Sequence, residues 1–144
     1  MVRYSTIMNL IEKNSGVAYV SYVDENGFPV TKTLTPRKIK SLGTIYFSTN
    51  TSSNKVAAYL KHNKGSVYFV DKRFYRGVSL MGTVEIIDDL KIKQELWREG
   101  DEKFYPLGVQ DGDYCILKFT LTHGRYFAAG NKDFRVVDLL SQNE

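Results

Sequence analysis

The sequence predicts a mainly β protein, a small antiparallel β-barrel with peripheral helices. Three observations carry that class. About six segments are rich in β-branched and aromatic residues and are bounded by turn residues, as strands are. The short helical patterns between them do not alternate regularly enough with the strands for a doubly wound parallel sheet, which is the weaker alternative. The 144 residues, 42% hydrophobic and 25% charged, suit one soluble core, so residues 1–144 are read as a single domain.

In chain order, Ser5 to Asn14 places Ile7, Met8, Leu10 and Ile11 at mostly helical spacing behind Ser5 as a suitable cap. Val17 to Val23 reads as a strand, Asp24 to Gly27 as a turn and Pro29 to Leu34 as the returning strand of a hairpin. Thr44 to Ser48 and Ser66 to Asp71 are two more strands. Val78 to Ile87 is a long one, whose Gly82 marks a bend or bulge. Ser53 to Asn63 brings Val56, Ala57 and Leu60 onto one helix face, with Ser52 or Ser53 as its cap. Asp88 to Gly100 reads as a third helix, capped by Asp88 or Asp89, apolar at Leu90, Leu96 and Trp97, and ended by Gly100. Tyr114 to Thr122 and Gly124 to Ala129 return to strand, and the tail from Asn131 has no definite pattern.

The single cysteine, Cys115, excludes an internal disulfide, and His62 and His123 form no zinc-ligand set with it. A reducing compartment is expected. No apolar run approaches the roughly 18 residues of a membrane span, and charges run through the stretch where a signal-peptide core would lie. These features predict a cytoplasmic protein without a membrane partner. The net charge of +4 favours anionic partners, a class that includes nucleic acid, anionic lipid and phosphate-bearing small molecules.

The most informative stretch is IYFSTNTSSNK, Ile45 to Lys55, where an apolar strand gives way to hydroxyls, amides and a lysine just before a helix. Unpaired amides at a helix N-terminus and the helix dipole favour an anion there, and Ser52, Ser53 and Lys55 add donors and charge. A phosphate suits this chemistry, and a polar loop with a helix cap has the same composition. A second cationic stretch holds Lys32, Arg37, Lys38 and Lys40, and alternation puts Lys32 on the face of Leu34; a solvated edge strand would use the same residues. A third, Asp71 to Gly77, mixes Lys72, Arg73 and Arg76 with Phe74 and Tyr75, a composition suited to stacking on nucleic acid, to holding a nucleotide-like ring, or to a hairpin loop.

Phosphate-loop, dinucleotide-fold and zinc-protease motifs are absent. Cys115, amid Tyr114, Ile116 and Leu117, reads as a buried structural thiol, and Trp97 as core. The two histidines read as surface residues, and the segments with Asp101, Glu102, Asp111 and Asp113 as solvated loops.

Taken in order, GFPVTKTL, IYFSTNTSSNK, RGVSLMGTVEIIDD and LKFTLTHGRYF resemble the pyridoxamine 5'-phosphate oxidase-like family of FMN-binding split β-barrels, from about Val17 to Phe127. The likeness is closest to the short, general-stress-protein-like branch, where a Leu-Trp pair, here Leu96 and Trp97, precedes a segment like KFYPLG. The family mark of strand, Thr-Asn, Ser-x-Lys and helix stands here as Phe47, Ser48, Thr49 and Asn50 followed by Ser53, Asn54 and Lys55.

The resemblance implies that Lys55, Ser53 and the helix terminus hold the FMN phosphate, with Lys32 where the family commonly has an arginine. Thr33 and Leu34 would run their backbone beside the isoalloxazine, and Ser48, Thr49 and Asn50 would approach the ring and ribityl chain. It further implies a homodimer with flavin at the interface, where Arg76, Gly77, Tyr126 and Phe127 would reach the partner's cofactor. Asn54 replaces a frequent arginine and Phe127 a frequent tryptophan. The tail GNKDFRVV lacks the basic run that contacts the B6 substrate in the true oxidases. The implied activity is an FMN-dependent oxidoreductase on a small substrate, with a nicotinamide donor as one option. The competing reading is a small-barrel module for single-stranded nucleic acid, with Lys32, Arg37, Lys38, Arg73, Tyr75 and Arg76 in its groove.

Overall fold

The computed structural model describes residues 4–128 and 131–137, the latter by their backbone. Period-two burial starts the sheet: in β1 (Ala18–Val23), Ala18, Val20 and Tyr22 turn inward while Tyr19, Ser21 and Val23 face out. β1 pairs antiparallel with β2 (Pro29–Leu34) through the Asp24 turn, whose carboxylate accepts from the Asn26 and Phe28 amides at 2.9 Å each. β3 (Lys38–Ser41) and β4 (Thr44–Asn50) form a second hairpin, and β5 (Lys64–Asp71) turns tightly into β6 (Arg76–Ile87). β7 (Tyr114–Ala128) and β8 (Asn131–Val137) complete one antiparallel sheet of order β2-β1-β5-β6-β7-β4-β3.

The long strands β6 and β7 are the spine. β4 pairs with the first half of β7, from Tyr114 to Thr120, and β8 pairs with its second half from Gly124, so two part-sheets diverge along one strand. Edges β2 and β3 are not joined, so the barrel is split rather than closed. Where β6 bends, the register shifts between Met81 and Gly82. A Cβ on Gly82 would lie 2.1 Å from the Thr120 carbonyl oxygen, so only glycine fits the bend.

Helix α1 (Tyr4–Lys13) buries Ile7, Leu10 and Ile11, and α2 (Asn54–Lys61) buries Val56 and Tyr59, both into the main core with Phe47, Phe69, Leu80 and Phe119. A smaller cluster lies on the other face of β4 and β7. There Leu96 of α3 (Leu90–Leu96), Tyr105, Tyr114 and Ile116 pack with Trp97. Burial on both faces explains the unbroken apolar run from Tyr114 to Leu117.

The structure changes several expectations. The buried face of α2 is Val56 and Tyr59, while Leu60 is 71% exposed, because Tyr59 donates its hydroxyl to the Ser21 carbonyl at 2.7 Å and docks the helix there. Asp89 caps α3, accepting from the Lys91 and Ile92 amides, but the helix stops at Leu96, and Gly100 (φ 99°) starts a 3-10 turn at Asp101–Lys103. A second such turn spans Gly108–Gln110. The two strands expected from Tyr114 onward are one, and the tail pairs as β8; Ala129 and the residues after Val137 lie outside the described residues. β3 had no strand signal of its own. Among the described residues no helix is long and apolar enough to cross a membrane.

Candidate functional site

β4 runs into α2 through the turn Asn50–Ser53, closed by the Ser53 amide donating to the Asn50 carbonyl at 3.0 Å. Asp113, just before β7, laces this turn from outside. Its carboxylate accepts from Asn50 Nδ2 at 2.8 Å and from the Ser52 amide at 2.8 Å, and its carbonyl accepts from the Thr51 amide at 2.7 Å. The bond from Asn50, with those from Ser52, holds the Asp113 carboxyl below the usual carboxylate range.

Ser53 is the N-cap residue of α2, yet its hydroxyl makes no capping bond. That hydroxyl is buried and has no partner among the described residues, an arrangement that costs free energy unless a ligand supplies one. Lys55 lies half-buried in the first turn of the helix. Burial pushes its pKa down, and the nearby Lys32 ammonium pushes it down further. Lys32 stands on the inner face of β2, opposite Val20 and between Val30 and Leu34. Among the described residues no carboxylate forms an ion pair with either lysine. Two cations with overlapping fields, an idle hydroxyl and a helix N-terminus converge here, which is the donor set of a phosphate site.

The other sequence-predicted residues divide by strand alternation. Phe47 and Thr49 face the main core, Thr49 opposite Cys115, while Ser48 and Asn50 face the Tyr114 side. The Ser48 hydroxyl, which the Tyr114 phenol approaches, lacks a bond of good geometry; the Asn50 side chain is committed to Asp113 and receives the Tyr105 hydroxyl at 3.5 Å. Thr33, Gly77 and Phe127 share the outer face of the sheet, where Gly77 is opposite Phe127, whereas Tyr126 turns into the core. A Cβ at Gly77 would lie 2.2 Å from the Tyr68 hydroxyl oxygen, so the glycine lets that ring lie flat on the strand. Arg76 donates to Asp71 at 3.0 Å, and its buried Nε has no partner among the described residues. Asn54 is exposed at the first position of α2. It lines a cleft of about 450 Å3 with Ala57, Ala58, Lys61 and the hairpin residues Asp24 and Glu25. A shallower hollow of about 390 Å3 on the outer face lies between Tyr19, Thr31 and Tyr68.

The acidic segments are not solvated loops. Asp101 is 6% exposed and accepts from Nη1 and Nη2 of Arg37, at 2.6 and 2.8 Å, and from the Arg98 amide at 2.8 Å. The Arg37 bond holds its carboxyl low. Asp111 accepts from the Leu107 and Asp113 amides, at 3.1 and 3.0 Å. Sequence reasoning missed Asp113 as a site residue; its signal was the Asp-Gly-Asp run from Asp111, an Asx-turn pattern that reports an ordered loop. Cys115 is buried as expected, its thiol pKa pushed up by that burial. Among the described residues no group of His, Cys, Asp and Glu could hold a metal.

Over residues 4–142 the sequence matches the family model described as pyridoxamine 5'-phosphate oxidase like. A solved Clostridium acetobutylicum protein related to general stress protein 26 of Bacillus subtilis is 34% identical, with 95% of this chain and 98% of that one covered at a TM-score of 0.81. General stress protein 26 from Bacillus anthracis is 16% identical over 93% and 98% of the chains, TM-score 0.74. A Nostoc punctiforme protein named as oxidase-related and FMN-binding is 15% identical over 92% and 86%, TM-score 0.72. No curated protein matches the chain. With a family model spanning nearly the whole sequence and a third of the residues shared with one solved relative, the chain belongs to the pyridoxamine 5'-phosphate oxidase-like family.

Proposed function

We propose that the chain binds FMN and acts as an oxidoreductase on a small substrate. The observation that carries the reading is the pair Lys32 and Lys55, with no carboxylate partner among the described residues, at the helix start whose Ser53 hydroxyl has no partner among them either, a donor set that fits a phosphate dianion. Lys55 and Ser53 would hold the phosphate with the first amides of α2, and Lys32 would complete its charge. Thr33 and Leu34 on the adjoining strand supply backbone donors and acceptors for the ring system. Flavin, when bound, supplies hydride transfer; the chain positions it, tunes it by hydrogen bonds and limits water and oxygen. The name of the Nostoc relative agrees with this cofactor.

The outer sheet face, with Thr33, Gly77 and Phe127, is the surface through which a second copy would cover the flavin, giving a homodimer with two shared sites. Light scattering at micromolar concentration reads the mass of a dimer, and a monomer binding FMN stoichiometrically contradicts the shared site. The nucleic-acid reading has less support. Arg37, Lys38, Arg73 and Arg76 are engaged by Asp101, Glu95 and Asp71, which breaks up the proposed groove. Titrating flavin-free protein with FMN, riboflavin and a single-stranded oligonucleotide decides among them. Preference for FMN over riboflavin is expected; equal affinities, or tighter binding of the oligonucleotide, overturn the proposal.

A further inference from the structure

The turn Asn50–Ser53 ends on Ser53 and leads into the first turn of α2 with Lys55, and it has one closing bond of its own, from the Ser53 amide to the Asn50 carbonyl. Asp113 adds three bonds to it, and the Tyr105 hydroxyl reaches Asn50 Oδ1 at 3.5 Å. One carboxylate oxygen takes Asn50 Nδ2, the other takes the Ser52 amide, and the carbonyl takes the Thr51 amide, so three consecutive residues of the turn are gripped by one residue. Asp113 is itself held, since its amide donates to Asp111 Oδ1, and Asp111 Oδ2 accepts the Leu107 amide. A line of hydrogen bonds therefore runs from the loop before β7 to the residue whose hydroxyl is left idle at the head of α2.

On the reading that this turn receives the FMN phosphate, we infer that Asp113 is a positioning residue of the site, holding Asn50–Ser53 in the conformation that presents Ser53 and Lys55 to the anion. By charge alone a carboxylate is an unfavourable neighbour for a phosphate. Both its oxygens are instead spent on donors of the turn, which accounts for its presence. The two effects have opposite signs. Removal of a repelling charge tightens an anion; removal of a brace loosens it. The sign of the effect of Asp113→Asn on FMN binding therefore tests the inference.

The experiment measures FMN and riboflavin dissociation constants by fluorescence titration for the wild type, Asp113→Asn and Asp113→Ala. With two charge-assisted bonds lost, Asp113→Ala is expected to raise the FMN constant about tenfold and the riboflavin constant by less than about twofold. Asp113→Asn keeps an acceptor for the Ser52 amide, and Asn50 can turn its own amide to meet it, so a smaller loss in the same direction is expected. Equal losses for both flavins would reduce Asp113 to a general structural residue and overturn the inference, as would unchanged or tighter FMN binding in both variants. If the alanine variant fails to fold, judged by circular dichroism, the isosteric asparagine decides alone. A wild type that does not distinguish FMN from riboflavin removes the phosphate site itself, and with it the inference, in an arm separate from the variants.

Discussion

Replacing Lys55 by methionine separates the cost of the site from its use. The substitution keeps the length and apolar stem of the side chain and removes only the ammonium. In the folded protein that ammonium is half-buried, lies near a second cation and has no counter-ion among the described residues. Its depressed pKa makes the charged form a penalty on folding, present below the folded pKa and fading as pH rises toward the ordinary lysine value. Lys55→Met should therefore leave the flavin-free protein at least as stable as the wild type at pH 7. FMN loses a charge-assisted hydrogen bond, about 1.5 to 3 kcal/mol, so its affinity should fall roughly 10- to 150-fold while riboflavin is unaffected. In the wild type, FMN affinity should fall as pH rises through the depressed Lys55 pKa, a limb the variant lacks. Thermal unfolding without ligand and fluorescence titration with both flavins are the assays. A destabilised variant that loses both flavins equally would make Lys55 a structural residue and rule out its role at the phosphate.

Asp101→Asn breaks a bidentate, largely buried pair with Arg37 and should lower the melting temperature by roughly 5 to 15 °C. The Asp101 pKa is depressed, so the pair stabilises fully above the ordinary carboxylate range and its contribution is lost as pH falls through the depressed value; the variant should show a shallower acid limb, read by circular dichroism. Gly82→Ala sets a Cβ 2.1 Å from the Thr120 carbonyl and should cost about 2 kcal/mol or more in urea unfolding, whereas Gly16→Ala, with nothing within 4 Å, should change stability by less than about 0.5 kcal/mol. Pyridoxamine 5'-phosphate should not be turned over by FMN-saturated protein under air. Its phosphate needs a second anion site, for which the tail offers Lys132 and Arg135, and sustained turnover at about 1 per second or faster contradicts this.

The strands were legible because they are β-branched and aromatic runs bounded by turn residues, as at Val17 to Val23, and in the structure β1 and β4 bury alternate residues of those runs. Gly82 announced its bulge for a steric reason that sequence alone can suggest. β3 was not legible, since Lys38–Ser41 is four residues with an exposed lysine at every other position. Nor was the continuity of β7, because exposed Thr122 and His123 beside Gly124 look like a turn, whereas Thr122 is the extra residue of β7 where its register against Met81 and Gly82 shifts. At the candidate site, Lys55 and Ser53 stand out in the sequence because helix-terminus chemistry is local along the chain. Asp113 and the Arg37–Asp101 pair were missed because their partners lie about sixty residues away, and a carboxylate in a polar loop carries no mark of where it will be buried.

Lys55 and Ser53, where the β4–α2 turn enters the helix, are the proposed place of the FMN phosphate. A crystal structure of the protein with FMN tests it most directly. Phosphate oxygens are expected within hydrogen-bonding distance of Lys55 Nζ and Ser53 Oγ, with Lys32 Nζ facing the same group. A flavin bound with its phosphate elsewhere, leaving the Ser53 hydroxyl still without a partner, would contradict it.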